Sequence, residues 1–125
     1  MTKRILDVGN CGPDHRSICQ LIERLFPGSK VAKADTLDQT LNMLRESSFD
    51  LVFINRKLDI DYSDGIEILK QIKADEELAA TPVMLVTNYA EHQDTAVAAG
   101  AVRGFGKLEL ATPETRQKLE NILAG

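Results

Sequence analysis

Asp50-Leu51-Val52-Phe53-Ile54-Asn55 sets four apolar residues in a row between two polar ones. A strand with one face in water alternates apolar and polar side chains. An unbroken apolar run therefore predicts a strand covered on both faces, as in the middle of a parallel sheet. Upstream, Thr36 is a good helix N-cap, and Leu37, Leu41 and Leu44 follow on one helical face. Downstream, Arg56 to Ser63 makes an unusually long connection. Asp64 and Glu67 then have the spacing of a capping box, ahead of Ile66, Leu69 and Ile72.

The same alternation extends to both ends of the chain. Ile5 to Val8 reads as a first strand, and Pro13 suits the opening turn of a helix with Ile18, Leu21, Ile22 and Leu25 on its stripe. Phe26-Pro27-Gly28 stops that helix, and Lys30 to Ala34 is a weaker second strand. Pro82 to Thr87 is the fourth strand; Asn88 with Glu91 is expected to cap the next helix, which ends at Gly100. Ala101 to Phe105 is a short fifth strand, and Thr112-Pro113-Glu114 opens a last helix carrying Leu119, Ile122 and Leu123. Strands and helices alternating at these lengths call for right-handed crossovers and an α/β fold with helices on both sides of a parallel sheet. Residues 1–125 are expected to form one such domain.

Composition agrees with that reading and excludes several others. Apolar residues are 43% of the chain and charged residues 27%, an ordinary globular balance. A net charge of −4 does not suit nucleic acid or an anionic membrane surface. No apolar run approaches the roughly 18 residues of a membrane span, and no signal peptide is legible at the N-terminus. Cys11 and Cys19 lie eight residues apart with the second inside a helix, so a disulfide framework is not expected and a cytoplasmic setting is. His15 and His92 are far apart in sequence and no zinc spacing is present. Ser17 and Cys19 have no evident base partner and read as ordinary helix residues.

In open parallel sheets the site lies beyond the carboxyl ends of the strands. Those exits are Gly9-Asn10-Cys11-Gly12, Asn55-Arg56-Lys57, Thr87-Asn88 and Gly106-Lys107. Taken with Ile5-Leu6, Phe49-Asp50-Leu51-Val52, Asp64-Gly65-Ile66-Glu67-Ile68-Leu69, Pro82 to Thr87, Gly100-Ala101 and Phe105-Gly106-Lys107, the chain resembles the receiver domains of two-component response regulators nearly end to end. The resemblance implies a flavodoxin-like sheet of five strands in the order 2-1-3-4-5. It also implies a cytoplasmic signalling module that binds a protein partner, without contact of its own to nucleic acid or membrane.

The departures from the family pattern carry the functional reading. Receivers hold a divalent metal with two acids at the end of the first strand, where this chain has Gly9 and Asn10. They accept a phosphoryl group on an aspartate ending the third strand, where this chain has Asn55. An amide is a poor nucleophile and cannot form an aspartyl-phosphate. The family threonine and lysine persist as Thr87 and Lys107, so the site keeps a cation and none of its three acids. Hard cations need carboxylate or carbonyl oxygens, so no metal or other cofactor is expected. An anion fits the charge better, with Arg56 and Lys57 adding to the rim and Asn10, Asn55 and Thr87 offering hydrogen bonds.

Blander roles stand beside these. Asn55 and Thr87 also suit ordinary strand ends, and Lys107 a surface charge. Asp7 reads either as a displaced site acid or as a structural hydrogen-bonding group; Asp59 and Asp61, in the long loop, reach the site or are simply solvated. Any of the three acids is in a position to neutralise Lys107 from within.

Phe105 takes the place of the family's switch aromatic, and Leu108 follows Lys107 where the family has a cis proline, so a trans bond is expected. The expected function is that of a pseudo-receiver, a non-enzymatic protein-interaction module working without phosphorylation. By resemblance its output surface comprises the fourth helix, fifth strand and fifth helix with Arg103 and Glu109, and a homodimer through that face stays open. Two other readings also stay open: phosphorylation on a displaced aspartate, and sensing of an anion or nucleotide.

Overall fold

The computed structural model describes residues 2–123. Five parallel strands, β1 (Arg4–Val8), β2 (Lys30–Ala34), β3 (Leu51–Asn55), β4 (Val83–Val86) and β5 (Val102–Phe105), form one sheet in the order β2-β1-β3-β4-β5. The helices between and after them are α1 (Gly12–Leu25), α2 (Leu37–Glu46), α3 (Gly65–Ala74), α4 (Ala90–Ala98) and α5 (Pro113–Leu123). A single 3-10 turn, Lys107–Glu109, lies between β5 and α5.

Side chains along each strand point alternately to the two faces, so the sheet divides the core in two. Leu6, Val8, Val52, Ile54, Val83 and Leu85 pack with Leu44, Leu69, Ile72 and Ala96 on the side of α2, α3 and α4. Ile5, Leu51, Phe53, Met84, Val86 and Phe105 pack with Ile18, Ile22, Leu119 and Leu123 on the side of α1 and α5. The apolar run of β3 feeds both halves, and its four apolar residues have no exposed surface. β2 lies at an edge, and only its last residue, Ala34, is buried.

Local signals explain most boundaries. Thr36 Oγ1 accepts from the Gln39 N–H at 3.1 Å and opens α2, and Asp64 Oδ1 accepts from the Ile66 N–H at 3.0 Å and opens α3. The expected Asn88 cap is not formed. Tyr89 precedes α4 without a side-chain bond, and Asn88 Oδ1 instead accepts from the Leu108 N–H at 3.2 Å. A long-range contact thus takes the acceptor that local spacing assigned to the helix. Every peptide bond among the described residues is trans, Lys107–Leu108 included.

The start of α3 is pressed against the end of β3. A Cβ added to Gly65 would run into the Asn55 carbonyl oxygen and the Ile54 side chain. Backbone cannot yield as a flexible side chain does, so Gly65→Ala should lower stability by about 2 kcal/mol, the scale of an overpacked core. Urea denaturation measures this, and a change no larger than that of an exposed surface substitution would show that the helix shifts freely.

Candidate functional site

The parallel register pairs Val8 with Ile54, Asn55 with Val86, and Val86 with Phe105. The residues that follow, Gly9, Arg56, Thr87 and Gly106, therefore emerge along one edge of the sheet. Thr87 is anchored there by its N–H, which donates to Phe105 O at 3.0 Å.

At the first exit, Gly9 adopts φ +79°, in the left-handed region that favours glycine, and Leu58 packs where a side chain would stand. The Asp59 N–H donates to Gly9 O at 2.9 Å and so straps the long β3–α3 loop to the end of β1. Asn10 turns inward, donating from Nδ2 to Asp7 Oδ1 at 2.5 Å, while its own Oδ1 is buried without a partner. It therefore offers nothing to an anion at the strand exits, contrary to the expectation from sequence.

Asp7 is completely buried on the α1 side of the sheet. His15 Nδ1–H donates to its Oδ2 at 2.7 Å, and the Cys19 thiol lies 3.4 Å from His15 Nε2. Cys19, expected to lack a base partner, thus has a histidine one helical turn away. The i, i+4 spacing of His15 and Cys19 was the available signal. Burial, followed by the negative charge of Asp7, pushes the Cys19 thiol up, which disfavours the thiolate.

Asn55 Nδ2 donates to Lys57 O at 2.7 Å and to Gly9 O at 3.4 Å. Lys107 Nζ donates to Asp14 Oδ2 at 2.6 Å, an oxygen that the Cys11 thiol also approaches at 3.2 Å. The acid that neutralises Lys107 is therefore neither Asp7 nor a loop residue. Asp61 Oδ1 is occupied by the Ser63 hydroxyl and N–H, and neither it nor Asp59 pairs with Lys107. Asp14 stands in the first turn of α1, where an acid also favours the helix dipole. Its proximity to a strand exit was the sequence signal for it. Among the described residues no group of three or more His, Cys, Asp or Glu is arranged to hold a metal ion.

Beyond Asn55 and Thr87 a cavity of about 450 Å³ opens, with Arg56, Lys57, His92 and Lys107 in its wall. Phe105 faces away from it: its ring is buried edge-on against Phe53, with centroids 5.4 Å apart.

A doubly wound five-stranded sheet with its polar residues gathered at the strand exits is the architecture of a signalling receiver. Residues 13–110 match the response regulator receiver domain family, and the chain belongs to that family. It is 33% identical over 108 residues to the chemotaxis protein CheY-3 of Vibrio cholerae, covering 86% of this chain and 82% of that protein. The signal receiver domain of a DNA-binding response regulator from Colwellia psychrerythraea superposes with a TM-score of 0.83 at 22% identity, covering 98% of this chain and 99% of that one. The receiver domain of a sensor histidine kinase from Pseudomonas aeruginosa, solved with magnesium in its active-site cleft, gives a TM-score of 0.71 at 22% identity, covering 98% and 95%. As a receiver domain the chain is a signalling module. No helix of the described residues is long and apolar enough to cross a membrane.

The two acids near β1 and α1 titrate with opposite signs. Burial pushes the Asp7 carboxyl above its ordinary 3.8, with the bonds from His15 and Asn10 pulling part of the way back. The folded chain then keeps a proton that the unfolded chain releases, so stability falls as pH rises from 3.8 to the raised value. The Lys107 bond holds Asp14 below 3.8, so its contribution is complete above that pH and is lost as pH falls through the lowered value. Urea denaturation between about pH 3 and 8 reads both slopes. Asp7→Asn should flatten the decline above 3.8 and Asp14→Asn the loss below it; unchanged slopes would assign them to other groups.

Proposed function

We propose that this receiver signals by binding a protein partner without accepting a phosphoryl group. The observation that carries this reading is the Asn55 carboxamide at the end of β3, the place of the family's acceptor aspartate, already bonded to two backbone carbonyls. A carboxamide is not a nucleophile that forms an aspartyl-phosphate. The surroundings support it. Gly9 has Leu58 where an acidic side chain would reach toward a metal, and Asn10 is committed to Asp7. A hard cation would find no carboxylate at these three positions.

Phosphorylation on a displaced aspartate fits the geometry poorly. Asp7 has no exposed surface, and Asp59 and Asp61 are solvated and lie apart from Lys107. The partner surface that the family resemblance suggests is α4, β5 and α5. On it Arg103 pairs with Asp94 at 2.7 Å, and Val97 and Val102 are more than two-fifths exposed. A homodimer through this face would use the same residues.

Treatment with acetyl phosphate and magnesium, followed by intact mass measurement, tests the reading. The mass should not change, and Asn55→Asp alone should not change that outcome, because Gly9 and Asn10 still supply no metal ligand. A species heavier by about 80 Da in the unaltered chain would overturn the proposal.

A further inference from the structure

We propose that the cavity beside Asn55 binds a small phosphorylated molecule carrying a planar ring, with the phosphate on Arg56 and Lys57 and the ring against Tyr89. This rests on the reading that Asn55 carries no phosphoryl group, which would otherwise fill the same space.

Size and charge come first. About 450 Å³ lies within the usual range of small-ligand cavities, and no Asp or Glu lines it. The lining cations differ in how far they are already satisfied. Lys107 is held by Asp14 at 2.6 Å and shares its charge with that carboxylate. Arg56 and Lys57 are less committed. Arg56 Nε is buried without any partner, and its guanidinium comes no closer than 3.9 Å to Asp64. Asp64 meanwhile serves as the N-cap of α3 through its other oxygen. Lys57 has no carboxylate within 4.0 Å among the described residues. An arginine whose guanidinium is no closer than 3.9 Å to a carboxylate, beside a lysine with none within 4.0 Å, offers a fork and a point charge to an anion.

Polar groups and an aromatic wall complete the shape. Asn88 spends its Oδ1 on the Leu108 N–H, which leaves its amide hydrogens for the cavity. The Thr87 hydroxyl accepts from the Tyr89 N–H at 3.3 Å and lies 3.5 Å from His92 Nδ1, so it is shared between the two residues at the aromatic end. Tyr89 is 63% exposed, and His92 braces it edge-on with ring centroids 5.5 Å apart. Inorganic phosphate would use only the cationic end; an exposed, braced tyrosine at the other end favours a ligand with a flat π-face.

The probes are adenosine 5′-monophosphate, adenosine and inorganic phosphate, titrated into the isotope-labelled full chain at low ionic strength and followed by NMR. The nucleotide should shift the amides of Arg56, Lys57, Thr87, Asn88 and Tyr89 together, and bind about tenfold more tightly than phosphate or adenosine. Arg56→Gln should weaken the nucleotide and phosphate alike by about fivefold. Tyr89→Ala, at an exposed position, should weaken the nucleotide alone. Shifts scattered over the surface, no saturation by about 10 mM, or equal affinity for nucleotide and phosphate would overturn the proposal. Intact mass of the same preparation after separate treatment with acetyl phosphate and magnesium distinguishes this failure from that of the preceding reading, which alone would appear as covalent phosphate.

Discussion

A carboxylate with no access to water sits in the middle of the sheet, and much of the site follows from accommodating it. Asp7 occupies a strand whose neighbours Ile5, Leu6 and Val8 are wholly buried. Left unpaired there, a charge would be strongly destabilising, so hydrogen-bond donors must come to it. Asn10 supplies one and His15 the other. The Asn10 bond removes a polar side chain from the strand exits. The His15 bond ties α1 to β1, and the preceding residue on that helix, Asp14, meets Lys107 across the sheet edge. One buried acid thus helps set which polar groups remain available where receivers do their chemistry.

The β3–α3 loop reinforces that arrangement. It is closed on itself by the Leu58 N–H to Ser63 O bond at 2.9 Å, and strapped to β1 through Asp59 and Gly9. Leu58 then fills the space over Gly9, and the left-handed backbone of Gly9 would strain any other residue. Restoring an acid at that position would therefore require a different backbone or a different residue at 58. Packing as well as composition thus keeps a carboxylate from position 9, which suits a receiver proposed to work by contact alone.

The remaining positive charge is distributed unevenly. Lys107 is the best paired of the cavity's cations, while Arg56 and Lys57 on the other rim are less so. A lysine already paired gains little from a second anion, whereas a guanidinium and an ammonium without a close carboxylate gain more. The cations without a close carboxylate therefore stand at the β3 exit rather than the β5 exit.

The order of strands and helices was legible in sequence because it depends on short-range periodicity. The apolar run of β3, the caps at Thr36 and Asp64, and the stop at Phe26-Pro27-Gly28 are each decided within a few residues. The absence of a carboxylate at Gly9, Asn10 and Asn55 is likewise a fact of composition at fixed positions. Pairings between distant residues were not legible. Asn88 looked like a helix cap until Leu108, twenty residues on, competed for its oxygen. Lys107 had three candidate acids by sequence and was paired by a fourth, Asp14, ninety-three residues away. Local spacing lists which groups are able to bond; only the packed sheet decides which of them arrive within 3 Å, because that choice is made by helix docking and strand register rather than by neighbours along the chain.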